Sequence, residues 1–122
     1  SELLSPKNIE FKIDLDPVLS SSLINPEVRK NILLIAKEAI NNAAKYSNAS
    51  LVIVSLHPAE QEVLFIITDN GRGFDTNKNS NGNGIQNIKQ RCSALKGKVI
   101  IDTLPGKGTA VKCIFPIAIF SQ

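Results

Sequence analysis

The sequence predicts an α+β fold, a two-layer sandwich in which helices cover one face of a mixed, largely antiparallel sheet. Three observations predict it. Apolar periodicity gives the order strand, helix, strand, strand, loop, helix, strand, strand. The later strands follow one another in pairs joined by short turns, which favours antiparallel neighbours over a doubly wound sheet. Only two helices of useful length are present, too few to cover both faces of a five-stranded sheet.

The elements can be justified in turn. Residues 8–15, NIEFKIDL, alternate Ile9, Phe11, Ile13 and Leu15 with polar neighbours, which predicts a half-buried strand. A loop with Pro17, three serines and Pro26 follows. Asn25 and Pro26 suit an N-cap and a first helical position. From there to about Tyr46, Ile32, Ile35, Ala36, Ala39, Ile40 and Ala43 recur at three- and four-residue steps, a helical stripe. ASLVIVSL (49–56) and EVLFIIT (62–68) are rich in β-forming residues and predict two strands joined by a turn around Pro58. The polar, Asn-rich TNKNSNGN (76–83) predicts a mobile loop. Residues 84–96 form a second helical stripe through Ile85, Ile88, Cys92 and Leu95, with Gly97 as its stop. Residues 98–104 and 109–115 predict a closing pair of strands around the turn Pro105-Gly106-Lys107-Gly108.

Bulk composition bounds the function. At 122 residues, 43% hydrophobic and 20% charged, the chain is one globular domain spanning 1–122. A net charge of +3 is spread over scattered lysines and arginines, and six aromatics are too few to interleave a basic strand-binding surface, so nucleic acid is not indicated. Cys92 and Cys113 are isolated thiols with no CxxC spacing, which predicts reduced core residues and no zinc site. No apolar run is long enough for a membrane span, and no signal peptide is visible, which predicts a cytoplasmic domain without direct membrane contact. The absence of methionine, even at position 1, suggests a piece of a longer chain.

Four short stretches carry possible chemistry. In KEAINNAAKYS, Glu38, Asn42 and Lys45 lie at i, i+4 and i+7 on one helical face. They read either as a solvated face or as an acid, a neutral oxygen ligand and a cation suited to a magnesium-bound triphosphate. In DNGRGFD, the Asn-Gly pair alone would signal a tight turn. Asp69 at a strand end could instead accept from a purine amino group, with Gly71 and Gly73 letting backbone approach a flat ring. In NGNGIQNIKQR, Gly82 and Gly84 free the backbone where a helix starts, a plain linker or an anion site. In GKGTAV, Gly106, Gly108 and Thr109 form no phosphate loop of the GxxxxGK[ST] kind, because a strand follows.

In this order and context the four stretches resemble the N box, the two glycine boxes and the closing glycine-threonine element of the ATP-binding catalytic domain of bacterial sensor histidine kinases. That group shares its Bergerat fold with type II topoisomerases, Hsp90 chaperones and MutL. The resemblance covers about residues 28–115 and looks most like the branch that partners LuxR-type response regulators. It implies ATP and Mg²⁺ as cofactors, with Asn42 as the metal ligand and Lys45 on phosphate. It places Asp69 on the adenine amino group with Thr109 supporting it, Gly71 and Gly73 in the adenine pocket, and Gly82 and Gly84 in a lid over the phosphates. Glu38 takes the acid position that activates water in related ATPases, or acts as the base for the phosphoacceptor. Tyr46 stands where many relatives have histidine. His57, the one histidine, reads as an exposed turn residue, so the phosphoacceptor histidine is expected on a separate dimerisation domain. The alternatives are a stand-alone ATPase of the same fold and an anti-sigma-type serine kinase.

Overall fold

The computed structural model describes residues 9–21, 25–72, 84–103 and 106–120, with the side chains of residues 46 and 47 excepted. Five strands form one sheet in the order β1-β2-β3-β5-β4. They are β1 (Glu10–Leu15), β2 (Leu51–Ala59), β3 (Glu62–Asp69), β4 (Lys98–Thr103) and β5 (Thr109–Pro116). Only β1 and β2 run parallel; the other three pairings are antiparallel. The described residues also form helices α1 (Pro17–Ser21), α2 (Pro26–Asn42) and α3 (Gly84–Ala94), with a short 3₁₀ turn at Ile117–Phe120. The expected two-layer α+β architecture and mixed sheet are what the chain adopts.

Helix α2 begins as its sequence dictates. The Asn25 carboxamide oxygen accepts from the backbone N–H groups of Glu27 (2.9 Å) and Val28 (3.3 Å), and Pro26 needs no acceptor there. Val28, Ile32, Ile35 and Ala39 form its buried stripe. The helix closes in a wider turn, Ala43–Ser47, that ends in left-handed Asn48 (φ 54°), whose conformation asparagine tolerates well.

The inward row of each central strand meets this stripe: Val52, Val54 and Leu56 from β2, Val63, Phe65 and Ile67 from β3, and Val111, Cys113 and Phe115 from β5. Helix α3 adds Ile88 and Cys92. Each fully buried aliphatic or aromatic chain contributes about 1.5–3 kcal/mol on leaving water. The Cys92 and Cys113 sulfurs meet at 3.0 Å, both as free thiols, and the hydrogen bond to Cys92, with burial second, holds the Cys113 thiol far above its usual range.

The structure corrects four local expectations. The stretch after β1 is not all loop, because Asp16 accepts from the Leu19 N–H (3.0 Å) and starts the one-turn helix α1. Pro58 and His57 lie within β2, and the turn falls at Glu60, which takes positive φ. Pro58 is tolerated because β1 pairs only with Leu51–Leu56, leaving the far end of β2 an edge. His57 is accordingly no turn residue: its Nε2 lies 3.1 Å from Asp14 Oδ2 across the β1–β2 boundary. Finally, β1 is not half-buried, since all six of its residues are exposed. Its alternation identified a strand, but the helical layer covers the sheet from β2 onward and leaves Phe11, Ile13 and Leu15 open. The expected loop at 76–83 lies outside the described residues.

Candidate functional site

The site has two halves, one on the sheet and one on the helices. Asp69 ends β3, and its register partner on β5 is Thr109, whose own partner on β4 is Thr103. Residues opposite each other across a pleated sheet share a face. Asp69 also lies opposite Val52, a core residue, so the row Asp69–Thr109–Thr103 looks into the helix-bearing side. Thr109 is almost fully buried and meets Thr103 hydroxyl to hydroxyl at 2.9 Å. A cleft of about 570 Å³ opens around this sheet end, lined among others by Asp69, Ile101, Thr103, Lys107, Gly108 and Thr109.

Asp69 is held from its own chain. One carboxylate oxygen accepts from the Gly71 N–H at 2.8 Å. Partial burial raises its pKa above the ordinary carboxylate value, and the Gly71 hydrogen bond acts more weakly in the opposite direction. The side chain is therefore a partly dehydrated acceptor with one oxygen committed to the backbone, suited to a neutral donor such as an amino group.

The loop between β4 and β5 locks onto this carboxylate's backbone. Gly108 sits at φ +83°, and a Cβ there would run into the Asp69 carbonyl oxygen and come within 3.4 Å of Asn70 Cα. Gly106 donates its N–H to the Arg72 carbonyl. The two glycine-bearing stretches, far apart in sequence, are thus in direct contact.

Asn70, read from sequence as part of a tight turn, does something else. Its carboxamide oxygen accepts from the N–H groups of Ser50 (3.0 Å) and Leu51 (2.9 Å), and its NH₂ donates to Ser50 Oγ (3.0 Å). This clasp ties the end of β3 to the start of β2. The Asn-Gly pair therefore closes no hairpin; β3 pairs with β2 before it and β5 after it.

The clasp also reaches the helical half, because Ala49, next to the clasped Ser50, donates its N–H to the carbonyl of Ala43 at 3.2 Å, one residue beyond Asn42. At that end of α2, a Cβ on Gly84 would lie 2.8 Å from Glu38 Oε2 and 3.2 Å from Asn42 Oδ1. The expected pair Glu38 and Asn42 thus shares one spot with the first residue of α3. Asn42 is 7% exposed, and among the described residues its carboxamide has no hydrogen-bond partner. A buried amide with an uncommitted oxygen fits a ligand that supplies the missing partner. Lys45 is exposed in the wide turn beyond α2. No described cluster of three or more acidic, cysteine or histidine side chains could cage a metal. Gly71 and Gly84 are placed as described; Gly73 and Gly82 lie outside the described residues. Sequence reasoning missed Asn70 and Thr103, and no local pattern marks either.

Residues 27–119 match the family described as histidine kinase-, DNA gyrase B- and HSP90-like ATPases. The chain is 34% identical over 84 residues to the signal transduction histidine-protein kinase/phosphatase DegS of Brevibacillus brevis, covering 68% of this chain and 22% of that protein. It is 32% identical over 106 residues to the nitrate/nitrite sensor protein NarX of Escherichia coli K12, covering 86% and 18%. The sensor histidine kinase LiaS of Bacillus subtilis is 28% identical over 118 residues, with 96% and 33% covered. This chain therefore spans a third or less of these relatives. Among solved structures, the blue-light activated histidine kinase of Erythrobacter litoralis superposes with a TM-score of 0.73 over 91% of this chain and 36% of that one, at 21% identity. Acinetobacter baumannii AdeS gives 0.71 over 94% and 57%, also at 21%. With a match over most of its length and with this sheet order, the chain belongs to the family of histidine kinase-, DNA gyrase B- and HSP90-like ATPases.

Proposed function

We propose that this domain is the ATP-binding catalytic module of a sensor histidine kinase, holding Mg-ATP for phosphoryl transfer to a histidine on a separate dimerisation domain. The observation that carries the reading is the pairing of a dehydrated acceptor, Asp69, at the sheet end with an unsatisfied buried amide, Asn42, at the adjoining helix end. One half suits the exocyclic amino group of adenine; guanine presents a carbonyl there, which a carboxylate repels. The other half suits the phosphate end.

Mg²⁺ fits Asn42 by donor chemistry: it prefers oxygen ligands, retains waters and shares substrate phosphates, so a single amide oxygen suffices. When bound it would neutralise phosphate charge. Lys45 is the cation nearest along the chain to Asn42 and takes the phosphate role, and Gly84 leaves the space in which Glu38 and Asn42 meet the first turn of α3. Gly84 opens α3 beside the same spot, so the positive end of that helix lies close to it. Gly71, Gly73 and Gly82 keep the pocket and lid roles that the family resemblance implies. Catalysis of this kind is mainly positioning and charge neutralisation.

The downstream partner is a response regulator, of LuxR type by resemblance to the DegS and NarX branch, and the module works on the cytoplasmic side. Among the described residues no helix is long and apolar enough to cross a membrane. Calorimetric titration tests the binding reading: Mg-ATP should bind well ahead of Mg-GTP, and equal affinity would remove the Asp69 assignment. In the full kinase the phosphorylated product should be acid-labile, as phosphohistidine is. Glu38 beside Asn42 favours a second reading, a self-contained ATPase; steady hydrolysis by the domain, lost in Glu38→Ala, would support it over the kinase.

A further inference from the structure

We infer that the free edge of β1 is a self-pairing surface. A second copy of this chain adds its own β1 antiparallel to it, about a two-fold axis at Ile13, and joins the two sheets edge to edge. The inference does not rest on the nucleotide-site reading.

Among the described residues β1 is an outer strand of the sheet, and β2 is its one neighbour. Its even-numbered residues bond inward: Glu10 and Asp16 donate their N–H groups to the Ser50 and Leu56 carbonyls at 2.9 and 2.8 Å. Lys12 and Asp14 share that phase in the one-to-one register with β2. The N–H and C=O groups of Phe11, Ile13 and Leu15 therefore point out along the open edge. Their side chains also stay in solvent, 39%, 62% and 39% exposed, although their register partners Val52, Val54 and Leu56 are core residues.

Side-chain charge selects the occupant and the register. An antiparallel copy must set outward-bonding residues opposite outward-bonding residues, so the allowed registers lie two residues apart. Centring the pair on Lys12 sets Lys12 against Lys12 and Glu10 against Asp14, all like charges. Centring it on Asp14 sets Asp14 against Asp14, and centring on either Phe11 or Leu15 overlaps too little of the strand. Centring it on Ile13 sets Ile13 against Ile13, Phe11 against Leu15 and, twice over, Lys12 against Asp14. Lys12 and Asp14 then fall at non-hydrogen-bonded positions, where facing side chains come closest. Among the described residues Lys12 has no ion-pair partner, and Asp14 gives Oδ2 to His57 at 3.1 Å and keeps its other oxygen. At the ends of the overlap Glu10 meets Asp16, whose carboxylate is engaged in capping α1. A lysine on a sheet edge often wards off pairing; here the aspartate two residues on supplies its counter-charge, in the self-complementary pattern that a two-fold contact needs.

Sedimentation equilibrium of the whole chain, up to millimolar concentration, tests this. Edge pairing of one short strand buries little next to the roughly 1,200–2,000 Å² of a stable interface, so a weak, reversible dimer is expected. Lys12→Asp and Asp14→Lys each set like charges opposite one another at both pairs and should weaken the dimer by roughly tenfold or more. An equimolar mixture of the two variants should recover it, since every pair is then opposite in charge. In wild type the backbone N–H groups of Phe11, Ile13 and Leu15 should exchange hydrogen more slowly as concentration rises, while that of Lys12, bonded to β2, stays unchanged. This measurement decides the matter even where a variant folds poorly: exchange at the three outward groups that ignores concentration overturns the inference. So does a wild-type chain that stays monomeric, or a mixture of variants that stays monomeric. A dimer that survives undiminished in either single variant uses another face, and it too overturns the inference.

Discussion

Gly84 and Gly108 occupy opposite halves of the same site, and in both a single added methyl group would collide with something. What it would meet differs. At Gly108 the obstacle is backbone, the Asp69 carbonyl, and φ is +83°. At Gly84 the obstacle is the tip of a flexible side chain, Glu38 Oε2 at 2.8 Å, in ordinary helical backbone. The sheet half is therefore built of fixed atoms and the helical half of adjustable ones. That division suits the proposed site, in which one flat base would be read strictly while a phosphate chain is accommodated.

The largest effect that would test this contrast is Gly108→Ala. It combines left-handed strain with a backbone clash, and we expect a loss of about 2–4 kcal/mol in unfolding free energy, read as a lower midpoint in urea. Near-normal stability would show that the sheet half can yield, and the contrast would disappear.

Next in size, Asp69→Asn should weaken ATP binding by about 1–3 kcal/mol, because one side of the amide can no longer accept. It should not weaken the fold by a similar amount. Burial raises the Asp69 pKa, so the charged form is the one the folded state disfavours. The sign follows. As pH falls through the raised folded value toward the ordinary carboxylate range, the folded chain binds more protons than the unfolded chain, and stability from this group increases. ATP affinity falls over the same window, since a protonated oxygen no longer accepts from an amine. Titrations of affinity and of thermal midpoint against pH should thus run in opposite directions in wild type and lose that component in Asp69→Asn. Parallel trends would mean the carboxylate is held for structure and not for a ligand.

The same contrast explains what the sequence could and could not disclose. Helix α2 was legible because its cap, its proline and its stripe are local. The pairing of Glu38 with Asn42 was legible for the same reason: four residues on a helix share a face. The sheet half is not local. Asp69 and Thr109 are 40 positions apart, and they meet because β5 inserts between β3 and β4, which no periodicity announces. Thr103 becomes relevant only once that register is known. Asn70 looked like turn chemistry because Asn-Gly usually is; its role as a clasp depends on Ser50 and Leu51 lying beside it. The exposure of β1 was hidden for a similar reason. Alternation tells which residues share a face but not whether a helix reaches that face. Helix α1 was the one readable miss, since Asp16-Pro17 is a cap followed by a first-turn proline.

The smallest expected effect belongs to the helical half. Gly84→Ala opens α3, and alanine gains up to about 1 kcal/mol over glycine within a helix, less at its first turn. Against this, the new methyl must push Glu38 aside, which costs little because the carboxylate sits at the end of rotatable bonds and α2 is partly open there. The two contributions nearly cancel, so the urea midpoint should stay close to wild type. The nucleotide should notice the change more than the fold does. A displaced Glu38 and a crowded Asn42 oxygen alter the spot proposed for the phosphate end, and ATP affinity should fall by a few-fold, roughly 0.5–1 kcal/mol, on the scale of one weakened hydrogen bond. Adenosine, which has no phosphates, should bind the variant as it binds wild type. If adenosine weakens in parallel with ATP, Gly84 is reporting on the base half too, and the two halves are mechanically one.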